Sequence, residues 1–229
     1  MFRTGDVVIK AVVFDLDDTL YDELSYVLQG LNQVSLYLAQ KYSIDRQEIF
    51  QRMKHELECH GRGKIFDHVC QQLSIKESIE ELVYIYRNTV PVLELYPDSA
   101  QLLKKLKKAG IKTGIITDGS SMVQHRKIEA LGLRTMVDYI IVTDDYGTGY
   151  AKPSKEPYLD ILKKLGCAPG ETVYVGDNPY KDFIGAKAVG LATVRVRREK
   201  GMFCNTDLST EYEADKTIRN LLELEGLLT

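Results

Sequence analysis

Five short runs of β-branched and apolar residues recur along the chain: KAVVFD (10–15), KTGIIT (112–117), DYIIVT (138–143), TVYVGD (172–177) and LATVRV (191–196). Each is nearly continuously apolar rather than alternating, the pattern of a strand that helices cover on both faces. Helical patterns fill the intervals. DSAQLLKKLKKAG opens at an Asp98 or Ser99 N-cap and stops at Gly110; SSMVQHRKIEALG stops at Gly132, and SKEPYLDILKKLG at Gly166. A capping residue in front and a glycine behind is the usual punctuation of a helix. Strand, helix and strand in repetition predict right-handed βαβ units, hence an α/β fold with a Rossmann-like parallel sheet flanked by helices.

The alternation breaks between residues 24 and 90, where the period is helical throughout. DRQE (45–48) and SIKE (74–77) read as capping-box-like helix starts, and Pro91 punctuates the return to the sheet. The expected organisation is an α/β core of residues 1–23 and 91–229, with an all-helical domain, 24–90, inserted after the first strand. The tail from Thr206 reads as a short irregular piece followed by a closing helix, ADKTIRNLLELEGLL.

A chain of 229 residues, 44% hydrophobic and 28% charged, can bury a full core. Its net charge of −3 argues against binding a nucleic-acid polymer, which needs a clustered basic excess. The lysines of LLKKLKKAG and ILKKLG read as solvated helix faces. No segment has the apolar length to cross a bilayer, so no membrane is expected. Asp6 and Lys10 interrupt the apolar runs at the start, which therefore lacks a signal-peptide pattern. Cys59, Cys70, Cys167 and Cys204 are scattered without a CxxC pair, which predicts reduced thiols and a cytoplasmic location. No pattern along the chain specifies an oligomeric state.

In an open parallel sheet, ligands gather beyond the carboxyl ends of the strands. This chain ends its first strand on Asp15 and Asp17, and its second on Thr117, Asp118 and Gly119. Lys152 follows the third, and Gly176 with Asp177 close the fourth, five residues before Asp182. Converging carboxylates need a counter-charge, and a hard cation with oxygen ligands such as Mg²⁺ is the natural one. A carboxylate cannot readily attack an anionic phosphate until a cation and a lysine offset the repulsion. These residues therefore suggest phosphoryl transfer to one Asp, with a second Asp moving protons and a Thr hydroxyl holding phosphoryl oxygens.

Four motifs in this order, FDLDDT (DxDxT), IITDG, KP at 152–153 and VGDNPYKD (GDxxxxD), resemble those of the haloacid dehalogenase (HAD) superfamily of Mg²⁺-dependent phosphohydrolases. The flanking KIEALGL and GAKAVGLATV and the helical insert are similar too. The resemblance implies a phosphomonoesterase acting on a small phosphorylated metabolite, a nucleotide or sugar phosphate, with the insert as a cap domain. It implies that Asp15 is the nucleophile that becomes an aspartyl-phosphate. Asp17 would protonate the leaving oxygen and then activate water. Thr117, Asp118 and Gly119 would line the phosphate site, and Lys152 would offset charge. Mg²⁺ would sit on Asp15, Asp177 and the backbone carbonyl of Asp17, and Asp182 would orient Lys152 or the metal's water shell. Asp118 stands where relatives often have Asn, so its side chain is expected to point away from the phosphate. By the same resemblance, Asp17 favours phosphate-ester hydrolysis over dehalogenase or phosphonatase chemistry, and DLDDTLYDE with ITDG and KIEALGL looks closest to the branch of 5′-nucleotidases and sialic-acid-phosphate phosphatases. A phosphosugar mutase of the same fold and a non-catalytic HAD-like binding module are the competing expectations.

Other charged stretches read as structural. Asp18 holds the variable position of DxDxT and is expected to tolerate Asn or Gly; Asp22, Glu23, Asp144 and Asp145 have no motif partner. CHGRGKIFDHVC (59–70) gathers two Cys and two His, but Cys59 and His60 are adjacent, off the usual zinc spacings, and no zinc site is expected. Arg62 and Lys64 lie on a glycine-flanked turn of the insert, where they are candidate substrate contacts. GTGYAK (147–152) lacks the third glycine of a dinucleotide loop.

Overall fold

The computed structural model describes residues 8–228, and the reading of residues 1–7 as no signal peptide lies outside them. The fold separates into two compact units, one of residues up to Glu23 together with those from Leu93 on, the other Leu24–Val92.

The first unit is built on a parallel sheet of β1 (Ala11–Phe14), β2 (Lys112–Thr117), β3 (Tyr139–Val142), β4 (Thr172–Gly176), β5 (Ala192–Val196) and β6 (Lys216–Ile218). Their spatial order is β3-β2-β1-β4-β5-β6. Every residue of β1 is buried, and Phe14 stands beside Ile115 on one side and Val175 on the other. One face, carrying Ala11, Val13, Ile116 and Tyr174, packs on α7 (Glu156–Leu165) and α8 (Asp182–Val189) through Tyr158, Ile161, Leu165 and Phe183. The residues between them in register, Val12, Phe14, Val173 and Val175, are equally buried. A strand covered on both faces is thus what the unbroken apolar runs encode. α5 (Pro97–Lys108) and α6 (Ser121–Ala130) complete the strand-to-strand crossovers.

The second unit holds most of α1 (Glu23–Tyr42), with α2 (Arg46–His60), α3 (Ile65–Gln72) and α4 (Ile79–Arg87). Val27, Leu31, Val34 and Leu38 recur at helical spacing on α1 and meet Ile49, Met53, Val69 and Leu82 in a core of their own. Asp45 caps α2 as DRQE suggests, accepting from the Glu48 N–H at 2.8 Å.

Three expectations are corrected. Asp98 and Ser99 do not cap α5, which starts at Pro97: proline suits the first helical position because it has no N–H to leave unpaired. The Asp98 carboxylate pairs instead with Arg198 at 2.7 Å and accepts from the Leu221 N–H. SIKE starts no helix; Ser74 has φ +53°, and Ser78 caps α4 by accepting from the Glu81 N–H. The tail is not one long helix. Lys216–Ile218 joins the sheet as β6, and after Asn220 come only a 3₁₀ turn, Leu221–Leu224, and the short α9 (Glu225–Leu228). Three residues are too few to show a strand period. Asp215 anchors this edge by accepting from the Thr193 N–H at 2.8 Å and its hydroxyl at 2.7 Å.

Among the described residues, no helix is long and apolar enough to cross a membrane, and the four cysteines are unpaired.

Candidate active site

From β1 the chain builds β2 and β3 on one side and then returns to build β4, β5 and β6 on the other. The connections diverge between β1 and β4, and such a switch point opens a crevice at the carboxyl edge. Asp15 follows β1 there and Asp177 follows β4. The Asp15 N–H extends the ladder to the Val175 carbonyl at 2.8 Å, so its side chain leaves a rigid strand end.

Lys152 reaches into this crevice from the loop after β3. Its Nζ donates to Asp15 Oδ1, to Asp182 Oδ1 at 2.8 Å, to the Tyr174 hydroxyl at 3.1 Å and to the Ile116 carbonyl at 3.3 Å. Asp182 is fully buried at the start of α8, where Oδ2 accepts from the Asn178 N–H at 2.9 Å and Oδ1 also accepts from Tyr174. Two glycines permit this packing. A Cβ on Gly176 would lie 2.4 Å from Asp182 Oδ2, and one on Gly185 would lie 2.4 Å from the Pro153 carbonyl oxygen, beside Lys152.

Burial, with the charges of Asp182 and Asp17, pushes Asp15 up to about 7 against the pull of Lys152 and Lys181. Burial and the carboxylates of Asp15, Asp182 and Asp18 also hold Asp177 well above the ordinary range. Burial disfavours the Lys152 ammonium, yet Asp15, Asp182 and Asp118 keep it protonated. Carboxylate oxygens of Asp15, Asp177 and Asp182 lie within 4.8 Å of one another. Among the described residues, Lys152 touches Asp15 and Asp182 but not Asp177, so the three buried acids are short of close positive charge, and all-oxygen donors suit a hard divalent cation. Mg²⁺ therefore fits this donor set. Because Asp182 is engaged with Lys152, Tyr174 and the Asn178 N–H, Asp15 and Asp177 are the side chains that would hold such an ion.

Asp17 faces a different set of partners. Tyr21 donates to its Oδ1 at 2.5 Å, Lys127 to the same oxygen at 2.7 Å, and Gln124 to Oδ2 at 2.9 Å. Burial opposes its charge, but Lys127 and these hydrogen bonds hold the carboxyl below the usual range. Lys127 is 3% exposed and also contacts Glu23 at 3.3 Å. Gln124 donates to the Thr117 hydroxyl as well, linking the ends of β1 and β2.

Asp118 Oδ1 accepts from the Thr143 hydroxyl at 2.8 Å and from the Lys152 N–H at 3.2 Å, while Oδ2 lies 3.2 Å from Lys181. Burial opposes its charge too, but Lys152, Lys181 and Thr143 hold it below its ordinary value. Gly119 follows on the turn into α6. Asp18, at φ +52°, accepts from the Glu23 N–H and the Met202 N–H, each at 3.0 Å, so this variable motif position ties two loops together. Asp144 and Asp145 serve the start of α6, accepting from the Ser121 N–H and hydroxyl.

The first unit thus brings together Asp15, Lys152, Asp177 and Asp182, with Asp17, Thr117 and Asp118 on the adjoining strand ends. Arg62 and Lys64 belong to the second unit, on the turn between α2 and α3. Sequence reasoning missed Lys127, Gln124, Tyr21 and Tyr174. Two polar residues at i and i+3 on the buried face of α6 were the available signal for Gln124 and Lys127.

The model of the family described as haloacid dehalogenase-like hydrolase matches residues 12–196. The chain belongs to this family. Among HAD-family relatives, the glyceraldehyde 3-phosphate phosphatase of Methanocaldococcus jannaschii is 34% identical, over 96% of this chain and 97% of that one. The ribulose-1,5-bisphosphate 5-phosphatase of Halopiger xanaduensis is 30% identical, over 96% and 99%. Among solved structures, a HAD phosphatase from Thermococcus onnurineus has a TM-score of 0.64 at 32% identity, over 96% of this chain and 98% of that one. This HAD chain is therefore an enzyme of the hydrolase class.

Proposed function

We propose that this protein is a Mg²⁺-dependent phosphomonoesterase that hydrolyses a small sugar phosphate through an aspartyl-phosphate on Asp15. The observation that carries the reading is the pairing of Asp15 with Lys152 at the β1/β4 switch point, opposite Asp177. Asp15 Oδ1 is held by Lys152, which leaves Oδ2 to attack phosphorus in line with the leaving oxygen. Lys152 offsets the charge gathering on nucleophile and phosphoryl oxygens, and Asp182 and Tyr174 keep its ammonium in place. Asp15 and Asp177 would hold Mg²⁺, which would supply charge neutralisation at the phosphate.

Asp17 moves the protons. In its Tyr21–Lys127–Gln124 cradle it is ionised, ready to take a proton from the water that hydrolyses the acyl phosphate. An arriving phosphate dianion raises its proton affinity by like-charge repulsion, so the substrate complex favours the protonated acid that the leaving alkoxide needs. The Thr117 hydroxyl and the N–H groups of Asp118 and Gly119 receive the phosphoryl oxygens. Arg62 and Lys64 are proposed as substrate contacts on charge alone, and alanine at both should raise KM.

For the substrate, the relatives' names favour a sugar phosphate over the nucleotide or sialic acid phosphate that the first motif suggested. Glyceraldehyde 3-phosphate is the first compound to test. Phosphate release is measured across a panel of phosphorylated metabolites, with and without Mg²⁺, and ranked by kcat/KM. The expected result is Mg²⁺-dependent release, highest for a small sugar phosphate and abolished in Asp15→Asn. Undiminished turnover by Asp15→Asn would sink the mechanism.

A further inference from the structure

Three of the four histidines, His55, His60 and His68, fall within fourteen residues of the helical unit, and two of them converge on one carboxylate. Glu56 and His60 share a face of α2 at i and i+4 spacing, and His68 approaches from α3. Glu56 Oε2 lies 2.9 Å from His60 Nδ1 and 2.7 Å from His68 Nδ1. Its other oxygen, Oε1, accepts from Gln72 Nε2 at 2.7 Å, which fixes the carboxylate so that Oε2 points at both rings. Glu56 is 4% exposed, whereas the His60 and His68 side chains are 60% and 38% exposed.

We propose that Glu56, His60 and His68 form a second metal site, for a borderline-soft divalent cation of the Zn²⁺ type, that clamps α2 to α3. The chemistry of the donors sets this apart from the all-oxygen Asp15 and Asp177 pair. Two imidazoles and one carboxylate suit Zn²⁺, Ni²⁺ or Co²⁺, and a hard ion such as Mg²⁺ prefers oxygen alone. The three ligand atoms lie within 4.8 Å of one another. Around a tetrahedral Zn²⁺ with bonds of about 2.0–2.1 Å, ligand atoms sit roughly 3.3 Å apart. Opening the present 2.7 and 2.9 Å separations to that value takes a small rotation of two exposed rings. The rings already stand perpendicular, with centroids 5.7 Å apart. Gln72 plays the part of the outer partner that orients a ligating carboxylate. Exposure on the His60 side leaves a coordination position for water.

This arrangement also explains why linear spacing conceals the site. The cysteines of CHGRGKIFDHVC take no part. Cys59 sits 3.7 Å from His55 Nε2, and the third ligand, Glu56, precedes the cysteine–histidine stretch.

The test is a titration of the full-length, chelator-treated protein with Co²⁺ and then Zn²⁺ in excess Mg²⁺, which occupies the oxygen site. One equivalent of Co²⁺ should bind with the strong visible absorption of a four- or five-coordinate ion, be displaced by Zn²⁺, and raise Tm. His60→Gln and His68→Gln, both at exposed rings, should each weaken binding about tenfold or more, while circular dichroism shows the fold retained. Cys59→Ser and His55→Gln should leave the affinity unchanged. The proposal is overturned if no stoichiometric binding occurs, if His60→Gln and His68→Gln bind as the parent does, or if Cys59→Ser or His55→Gln abolishes the signal. Binding is read without turnover, so this outcome is independent of the phosphatase reading.

Discussion

At the scale of single residues, the environment of Asp17 governs how well it works as an acid and a base. Lys127→Met removes the ammonium 2.7 Å from Oδ1 and frees the carboxylate to leave its cradle. We expect kcat on an alkyl phosphate to fall about tenfold, part of the 10²–10⁴ that general acid–base catalysis supplies. Aryl phosphates with good leaving groups should be far less affected, and equal losses on both would rule out the positioning role. Asp15 carries a pH signature. Its folded value of about 7 exceeds the unfolded value of about 3.9, so between these the folded state holds more protons. The contribution of this group is therefore full below about pH 4 and declines as pH rises towards about 7. In Mg²⁺-free buffer, Asp15→Asn should gain stability relative to the parent across that interval, as thermal melts would show; a constant difference would contradict the shift. Asp18 makes a third case. Asn keeps an acceptor and tolerates the left-handed backbone, whereas Gly abandons both hydrogen bonds to the Glu23 and Met202 N–H groups. Asp18→Gly should cost about 1–3 kcal/mol in denaturant titrations, and Asp18→Asn clearly less.

Elements matter here through where they end. β1 and β4 stop at adjacent positions of the ladder, and α8 begins close enough for Asp182 to fold back under Gly176. Gly176→Ala would force Asp182 from its contact with Lys152. We expect a loss of about 1–3 kcal/mol in stability from overpacking, with kcat reduced and KM little changed. Retention of full kcat would show that the Asp182–Lys152 contact is dispensable. The elements that sequence patterns misplace are the short or unconventionally capped ones. β6 has three residues and so no visible period, and α5 takes proline as its first residue while Asp98 turns to Arg198.

On the scale of the whole molecule, each unit buries apolar residues of its own, Val13, Ile116 and Tyr158 among them in the first and Val27, Leu31 and Leu82 in the second. Leu82 is fully buried in the helical core. Leu82→Ala should cost about 2–5 kcal/mol there, raising amide exchange across residues 24–92 and leaving the sheet protected. Uniform loss of protection in both units would contradict separate cores. The sequence by itself determined the parallel α/β class and the motif acids at the strand ends, because both follow from local patterns. An unbroken apolar run specifies a covered strand, and right-handed crossovers carry each strand's carboxyl end to the same edge. Only the tertiary structure decided which side chains meet there. Lys127 reaches Asp17 across 110 positions of sequence and Lys152 rests on Asp182; within the helical unit, likewise, His68 turns to Glu56 from a neighbouring helix. Those contacts depend on long-range packing that no local period records. A lysine that would read as solvated on a helix face is here buried against the acid it holds.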